Sequence, residues 1–208
     1  MVSMRKIVVP GTVVSDHRLS MDNTYVDGTR TVSAVVGLFD DSRNEVIPLE
    51  GFWKPRSGDI VVGVVEAAGR NGTYKVVLTE FVNGLIIQDK YDREHYMPGD
   101  IIEAKVRDIE HKVLAVLEEP RRLEGGTLMN VKAVKVPRLI GKANTMIKQI
   151  MDLTKCSMVV GRNGLVWMKG QGVAEATEAV LRIEHEAHTS GLTERIKSML
   201  EKGKNRNT

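Results

Sequence analysis

A single cysteine, Cys156, stands in 208 residues, so no internal disulfide forms and no cysteine pair exists for a zinc ribbon or an iron–sulfur site. Aromatic residues make up only 4%, which leaves the cores to Val, Ile, Leu and Met. No apolar run approaches the roughly 20 residues of a membrane helix. The first ten residues carry Arg5 and Lys6 but no apolar region of signal-peptide length, so a cytoplasmic protein without a membrane partner is expected. A glycine-rich phosphate loop of the P-loop or dinucleotide type is also missing.

The five histidines, His17, His95, His111, His185 and His188, do not cluster with cysteine or paired carboxylates. His185 and His188 lie three apart on an expected helix, but no third metal ligand accompanies them. Asp40-Asp41 and Glu118-Glu119 are adjacent pairs, which point apart in a strand or mark element ends. Cys156 sits among β-branched and apolar neighbours and reads as a small buried hydrophobe. No constellation supplies a nucleophile, a base and an orienting group. Neither a catalytic residue nor a metal or cofactor is expected.

What the sequence does hold is an uneven distribution of charge. The net charge of +3 conceals 14 basic and 19 acidic residues over 1–119, against 16 basic and 8 acidic over 120–208. The excess concentrates in 120–172, with 10 basic residues and 2 acidic. Lys132, Lys135, Arg138, Lys142 and Lys148 follow one another with no acid between them. A field of one sign suits a polyanion, because each neutralised phosphate releases condensed counterions. A solvated basic face is the plain alternative.

The pattern along the chain divides it into three. Short Val/Ile/Thr runs at 7–9, 12–14, 31–36 and 46–49, punctuated by Gly28, Gly37 and Pro48, predict a small all-β domain over 1–57. Five strand-like runs at 60–66, 73–79, 81–87, 101–108 and 113–118 predict a five-stranded OB-type barrel over 58–119, with a polar excursion from Gln88 to Met97 after the third. From Pro120 the period changes. A strand candidate at 127–134 precedes a helix face of Ala143, Met146, Ile147, Ile150 and Met151. Strands at 156–160 and 165–168 flank Gly161-Arg162-Asn163-Gly164, where Asn-Gly favours a tight hairpin. Ala176, Val180, Ile183 and Ala187 mark a second helix, and Leu192, Ile196, Met199 and Leu200 a third. An α+β domain over 120–208 follows, ending in a polar tail.

Between that first strand and helix runs Lys135-Val136-Pro137-Arg138-Leu139-Ile140-Gly141-Lys142. A KH domain places there its Gly-x-x-Gly loop, which clamps about four single-stranded nucleotides. The stretch Val136 to Ile147 resembles the KH domain of the RNA-binding cap subunits of the archaeal exosome. Thr154 to Trp167, with its Gly-x-Asn-Gly block at Gly161–Gly164, resembles the same family, as do Val8-Val9-Pro10-Gly11, Ser33 to Leu38, and Pro55 through Gly63 at the entry to an S1-type barrel. One position departs: the loop reads Gly141-Lys142-Ala143-Asn144, with Asn in place of the second glycine.

The resemblance implies a non-catalytic subunit that caps a hexameric nuclease ring as one of three copies, beside copies of itself or a related cap subunit, and recruits single-stranded RNA for 3′→5′ degradation. RNA contacts are expected at Lys135, Arg138, Gly141, Lys142, Asn144, Lys148 and Arg162 in the KH domain, and at Arg70, Tyr74 and Phe81 in the barrel. Tyr74 and Phe81 are read as stacking partners for bases, with Phe81 in the core and Tyr74 at its boundary as the alternative. Phe52 and Trp53 beside Pro55 read either as anchors for a protein partner or as packing between the β units. A free-standing barrel–KH factor of translation or transcription, and an exoribonuclease in its own right, remain as alternative functions.

Overall fold

Short strands bounded by turn residues dominate the first half of the chain, and their pairing in a computed structural model gives the architecture. The structure describes residues 5–42, 44–88, 94–111, 113–187 and 191–204. Two compact units divide between Phe52 and Trp53.

The first unit holds two three-stranded antiparallel sheets. One joins β1 (Arg5–Val8), β5 (Gly37–Asp40) and β6 (Glu45–Pro48), and the other joins β2 (Val13–Ser15), β4 (Arg30–Ser33) and β3 (Thr24–Asp27). Its core is small: Val8, Phe39 and Val46 are buried, with Val14, Met21 and Val35 packed against them. Buried polar groups are satisfied locally. The Thr31 hydroxyl donates to the His17 carbonyl at 2.8 Å and accepts from the Leu19 N–H at 2.8 Å. β3 and β5 lie where no strand was expected from the sequence; each has only four residues, too few to show a period.

The second unit begins with a closed barrel of β7 (Ile60–Ala68), β8 (Thr73–Val77), β9 (Asn83–Ile87), β10 (Ile101–Glu110) and β11 (Leu114–Arg122). All neighbours pair antiparallel except β9 and β11, which run parallel, and β7 closes on β10. Closure leaves no sheet edge. Alternation fills the interior: β8 points Tyr74 and Val76 inward and Thr73, Lys75 and Val77 away. Leu78, Ile86, Ile102 and Val106 complete an aliphatic core. Trp53 packs against this core and its indole N–H donates to Asp59 Oδ2 at 3.0 Å. Its ring is thereby committed to the barrel, whereas Phe52 in the first unit is 77% exposed. Of the excursion between β9 and β10, residues 89–93 lie outside those described.

β11 runs past the expected boundary at 119/120 and ends at Arg122. Five residues later the sheet β12 (Thr127–Asn130), β14 (Leu165–Gly170), β13 (Cys156–Val160) begins, antiparallel throughout. The helices α1 (Val136–Ile140), α2 (Thr145–Thr154), α3 (Val173–Glu186) and α4 (Leu192–Lys204) accompany it. Their apolar stripes meet one sheet face in a core that includes Leu139, Ile150, Met168, Ile183 and Ile196. Cys156 is buried in this core. The strand expected over 127–134 stops at Asn130, and α1 forms in the stretch that precedes the expected helix. Pro137 in its first turn is favourable there, since that N–H needs no partner. Among the described residues, no helix is long and apolar enough to cross a membrane.

Candidate nucleic-acid interface

The loop between α1 and α2 is built from three residues at positive φ. Gly141 has φ 76° and ψ 171°, Ala143 φ 50°, and Asn144 φ 62°. Gly141 has no alternative: a Cβ there would lie 2.8 Å from both the Cβ and the backbone N of Met146. The Gly141 N–H donates to the Pro137 carbonyl at 3.0 Å, ending α1, and its own carbonyl accepts from the Asn144 N–H at 3.3 Å. The Thr145 hydroxyl donates to the Lys142 carbonyl at 2.8 Å. Asn144 occupies the cap position of α2 without a side-chain cap bond. Asn tolerates left-handed geometry better than most residues, so it holds the turn that a second glycine would otherwise make. The first-turn N–H groups of α2 lie just beyond the loop, where a helix start favours an anion.

Cations surround this turn. Arg138, Lys142 and Lys148 are exposed and Lys135 is half-buried. Lys142 is in the loop itself, Arg138 on α1 and Lys148 in the first turn of α2. Six of the ten predicted residues, Gly141 and Asn144 among them, therefore meet around one turn, and phosphate contact is the chemistry this arrangement suits: point charges and helix-start donors around a glycine that permits close approach.

Arg162 is not part of that group. Its backbone N–H donates to the Ile60 carbonyl of β7 at 2.8 Å, so its turn is docked on the barrel. The neighbouring Asn163 is 4% exposed and spends its side chain on the barrel backbone. Its Nδ2 donates to the Val62 and Leu78 carbonyls, both at 2.7 Å, while Oδ1 accepts from the Val62 N–H at 3.2 Å. Gly161 and Gly164 are dictated by closeness: a Cβ would meet the Val62 N at 2.6 Å in one case and the Val131 carbonyl oxygen at 2.3 Å in the other. The Gly-x-Asn-Gly block is a clasp between barrel and KH sheet. Sequence reading found its turn, with Gly164 at φ 95°, and missed its partners, which lie about a hundred residues upstream. Val62, Leu123 and Trp167 bury a small apolar cluster at the same junction.

The three barrel candidates do not form a stacking surface. Tyr74 is 5% exposed and packs edge-on against Tyr96, with ring centroids 5.3 Å apart. It is a core residue, and its ring is closed to a base. Arg70 is exposed in the β7–β8 turn, whereas Phe81, 56% exposed, lies in the β8–β9 turn at the other end of β8. Five residues of strand, about 17 Å, separate the two ends.

Among the described residues no group of three His, Cys, Asp or Glu side chains is placed to hold a metal. His185 is exposed on α3, and His188 lies outside the described residues.

Comparison with known proteins agrees with this layout. Residues 5–50 match the family described as the exosome RNA binding protein RRP4 N-terminal domain, and residues 127–184 match the KH domain family. The exosome complex component Rrp4 of Pyrococcus furiosus is 36% identical over 221 residues, covering 96% of this chain and 84% of that protein. That of Methanothermus fervidus is also 36% identical, covering 96% of each. A solved crystal structure, described as that of a candidate exosome complex RNA-binding protein, superimposes with a TM-score of 0.65 at 26% identity, covering 76% of this chain and all of its own. With end-to-end identity of this extent, and with the N-terminal unit, the barrel and the KH domain in order, the chain belongs to the Rrp4 family of exosome complex components.

Proposed function

We propose that the chain is a non-catalytic cap of a cytoplasmic exosome, holding single-stranded RNA at the Gly141–Asn144 loop and delivering it to a hexameric ring of nuclease subunits. Three copies, or copies mixed with a related cap subunit, would complete the cap. The observation that carries this reading is the loop: a glycine that only glycine can satisfy, two further left-handed residues, and Arg138, Lys142 and Lys148 exposed around the start of α2. The end-to-end likeness to Rrp4 proteins supports the assembly, and the acidic balance of residues 1–119 leaves that half for protein contact rather than for RNA.

Purified chain mixed with labelled single-stranded RNA and inorganic phosphate tests it. Binding without shortening is expected, and shortening by the chain alone would make it a nuclease. Co-purification with a nuclease ring, in a native complex whose mass fits three caps, separates the cap from a free-standing RNA-binding factor.

A further inference from the structure

The loop accounts for only half of the basic segment. Of the ten cations in 120–172, Lys132, Lys135, Arg138, Lys142 and Lys148 belong to α1, α2 and their approaches. Three of the other five, Arg121, Arg122 and Lys169, line a single cleft of about 480 Å³ at the junction of barrel and KH sheet. Its floor and walls include Met151 of α2, Ser157 of β13 and Trp167 of β14; Glu124 is the acid of the lining, and Asp100 and Glu103 reach two of its arginines. The cleft is open and mostly polar, which suits a segment of phosphate backbone rather than an enclosed apolar ligand.

The cations are held in place rather than dangling. Lys169 Nζ donates to the Glu124 carbonyl at 2.9 Å, Arg122 pairs with Asp100 at 3.0 Å, and Arg121 pairs with Glu103. The indole N–H of Trp167 donates to the Gly125 carbonyl, fixing the linker that forms one rim.

Helix α2 joins this cleft to the loop. The loop opens α2 at Thr145, and Met151 lies six residues on, about 9 Å along the axis. Lys148 is exposed between them and three residues before Met151, hence beside it on the helix surface. Lys155, also exposed, follows at the helix end, directly before Cys156 of the cleft. Exposed Lys148 and Lys155, with the exposed Asp152 between them, thus lead along α2 from the loop to the cleft.

We infer that this cleft is a second contact for the same RNA strand, taking phosphates beyond the nucleotides held at the loop. The inference rests on the loop reading above, and its test separates the two. Binding of a tetranucleotide and of a single-stranded RNA of about 15 nucleotides is followed by fluorescence anisotropy over a salt series. The full chain is compared with Arg121→Ala/Lys169→Ala and with the loop variant Arg138→Ala/Lys142→Ala.

The cleft variant is expected to bind the tetranucleotide as the parent does, while its salt slope for the long RNA falls by about 1.4, two phosphates at roughly 0.7 each. The loop variant is expected to weaken both RNAs. An unchanged long-RNA slope in the cleft variant, with the loop variant impaired, overturns the cleft and leaves the loop standing. Equal loss for both RNAs in the cleft variant also overturns it, because the cleft would then not be a separate contact. If the loop variant alters neither RNA, the loop reading falls and the cleft proposal with it. Should the double variant fold poorly, Ser157→Glu, an exposed position on the cleft wall, must give the same length-dependent loss.

Discussion

Asn163 closes its side-chain amide on the backbone of Val62, donating to its carbonyl at 2.7 Å and accepting from its N–H at 3.2 Å, across 101 residues of chain. A third bond reaches the Leu78 carbonyl. Asn163→Ala leaves three buried backbone groups without partners, each worth about 1–3 kcal/mol when orphaned, part of which relaxation recovers. We expect a loss of about 2–4 kcal/mol in denaturant unfolding. Asn163→Asp should be at least as damaging, since a carboxylate cannot donate to either carbonyl. A loss below about 1 kcal/mol for both variants would show that the clasp is not what joins barrel to KH domain.

The cations around the loop should act as phosphate contacts and little else. Replacing Arg138, Lys142 and Lys148 together by Ala removes three exposed side chains. The slope of log K against log salt for single-stranded RNA should flatten by about two units, at roughly 0.7 per phosphate. Thermal stability should stay within about 0.5 kcal/mol, as surface substitutions do. An unchanged slope in a folded variant would put the RNA path elsewhere.

Asn144 and Gly141 should respond in opposite ways. Asn144 makes no cap bond and sits at φ 62°, so Asn144→Gly removes strain and nothing else. Melting should shift by no more than a few tenths of a kcal/mol, and RNA binding should be kept or tightened. Weaker binding would identify the Asn side chain as a contact. Gly141→Ala, by contrast, drives a methyl group against Met146 at a backbone angle closed to Ala. RNA affinity should drop at least tenfold, with a stability cost of about 1–3 kcal/mol.

What the sequence revealed and what it hid divide along physical lines. Helix faces were legible because Met146 and Ile150, and Ala176, Val180 and Ile183, repeat at the helical period and are all buried. The Asn-Gly hairpin was legible because positive φ is a local demand. Asn163's partners were not, since Val62 and Leu78 reach it only through the folded barrel. Tyr74 lay within reach of the pattern: it shares the inward register of β8 with Val76, and its reading as a stacking residue set aromatic chemistry above alternation. α1 was hidden by its length of five residues, although Pro137 marked its start.

Acid should loosen the packing of α3 on α4. The Arg182 guanidinium, with Arg195 beside it, holds the Glu186 carboxyl below its ordinary pKa. Glu186 bonds Arg182 Nε at 2.8 Å and Arg195 Nε at 2.9 Å. A carboxylate whose folded pKa is depressed contributes stability above its unfolded pKa, and that contribution disappears as pH falls through the folded value. The melting temperature of the parent should therefore fall more steeply between about pH 5 and pH 3 than that of Glu186→Gln. Parallel curves would remove Glu186 from the account of acid stability.

The last prediction concerns where the chain can be cut. A division at 119/120 follows the change of composition, but β11 crosses it: Arg121 and Arg122 still pair with Glu103 and Ile102 of β10. The Tyr96 hydroxyl donates to the Pro120 carbonyl at 2.9 Å, and Leu123 N–H to the Ile101 carbonyl at 2.8 Å. A fragment starting at Pro120 would begin inside a strand and expose Trp167 and Asn163, which the barrel covers. It should be poorly soluble or misfolded. The break in the structure lies instead between Phe52 and Trp53. A fragment of residues 53–208 should unfold in one cooperative transition, bind RNA with the salt slope of the full chain, and fail to co-purify with a nuclease ring. Docking is expected of residues 1–52, the unit that matches the Rrp4 N-terminal family; capture of the ring by the 53–208 fragment would move it to the acidic barrel, and loss of RNA binding would mean that the N-terminal unit touches RNA after all.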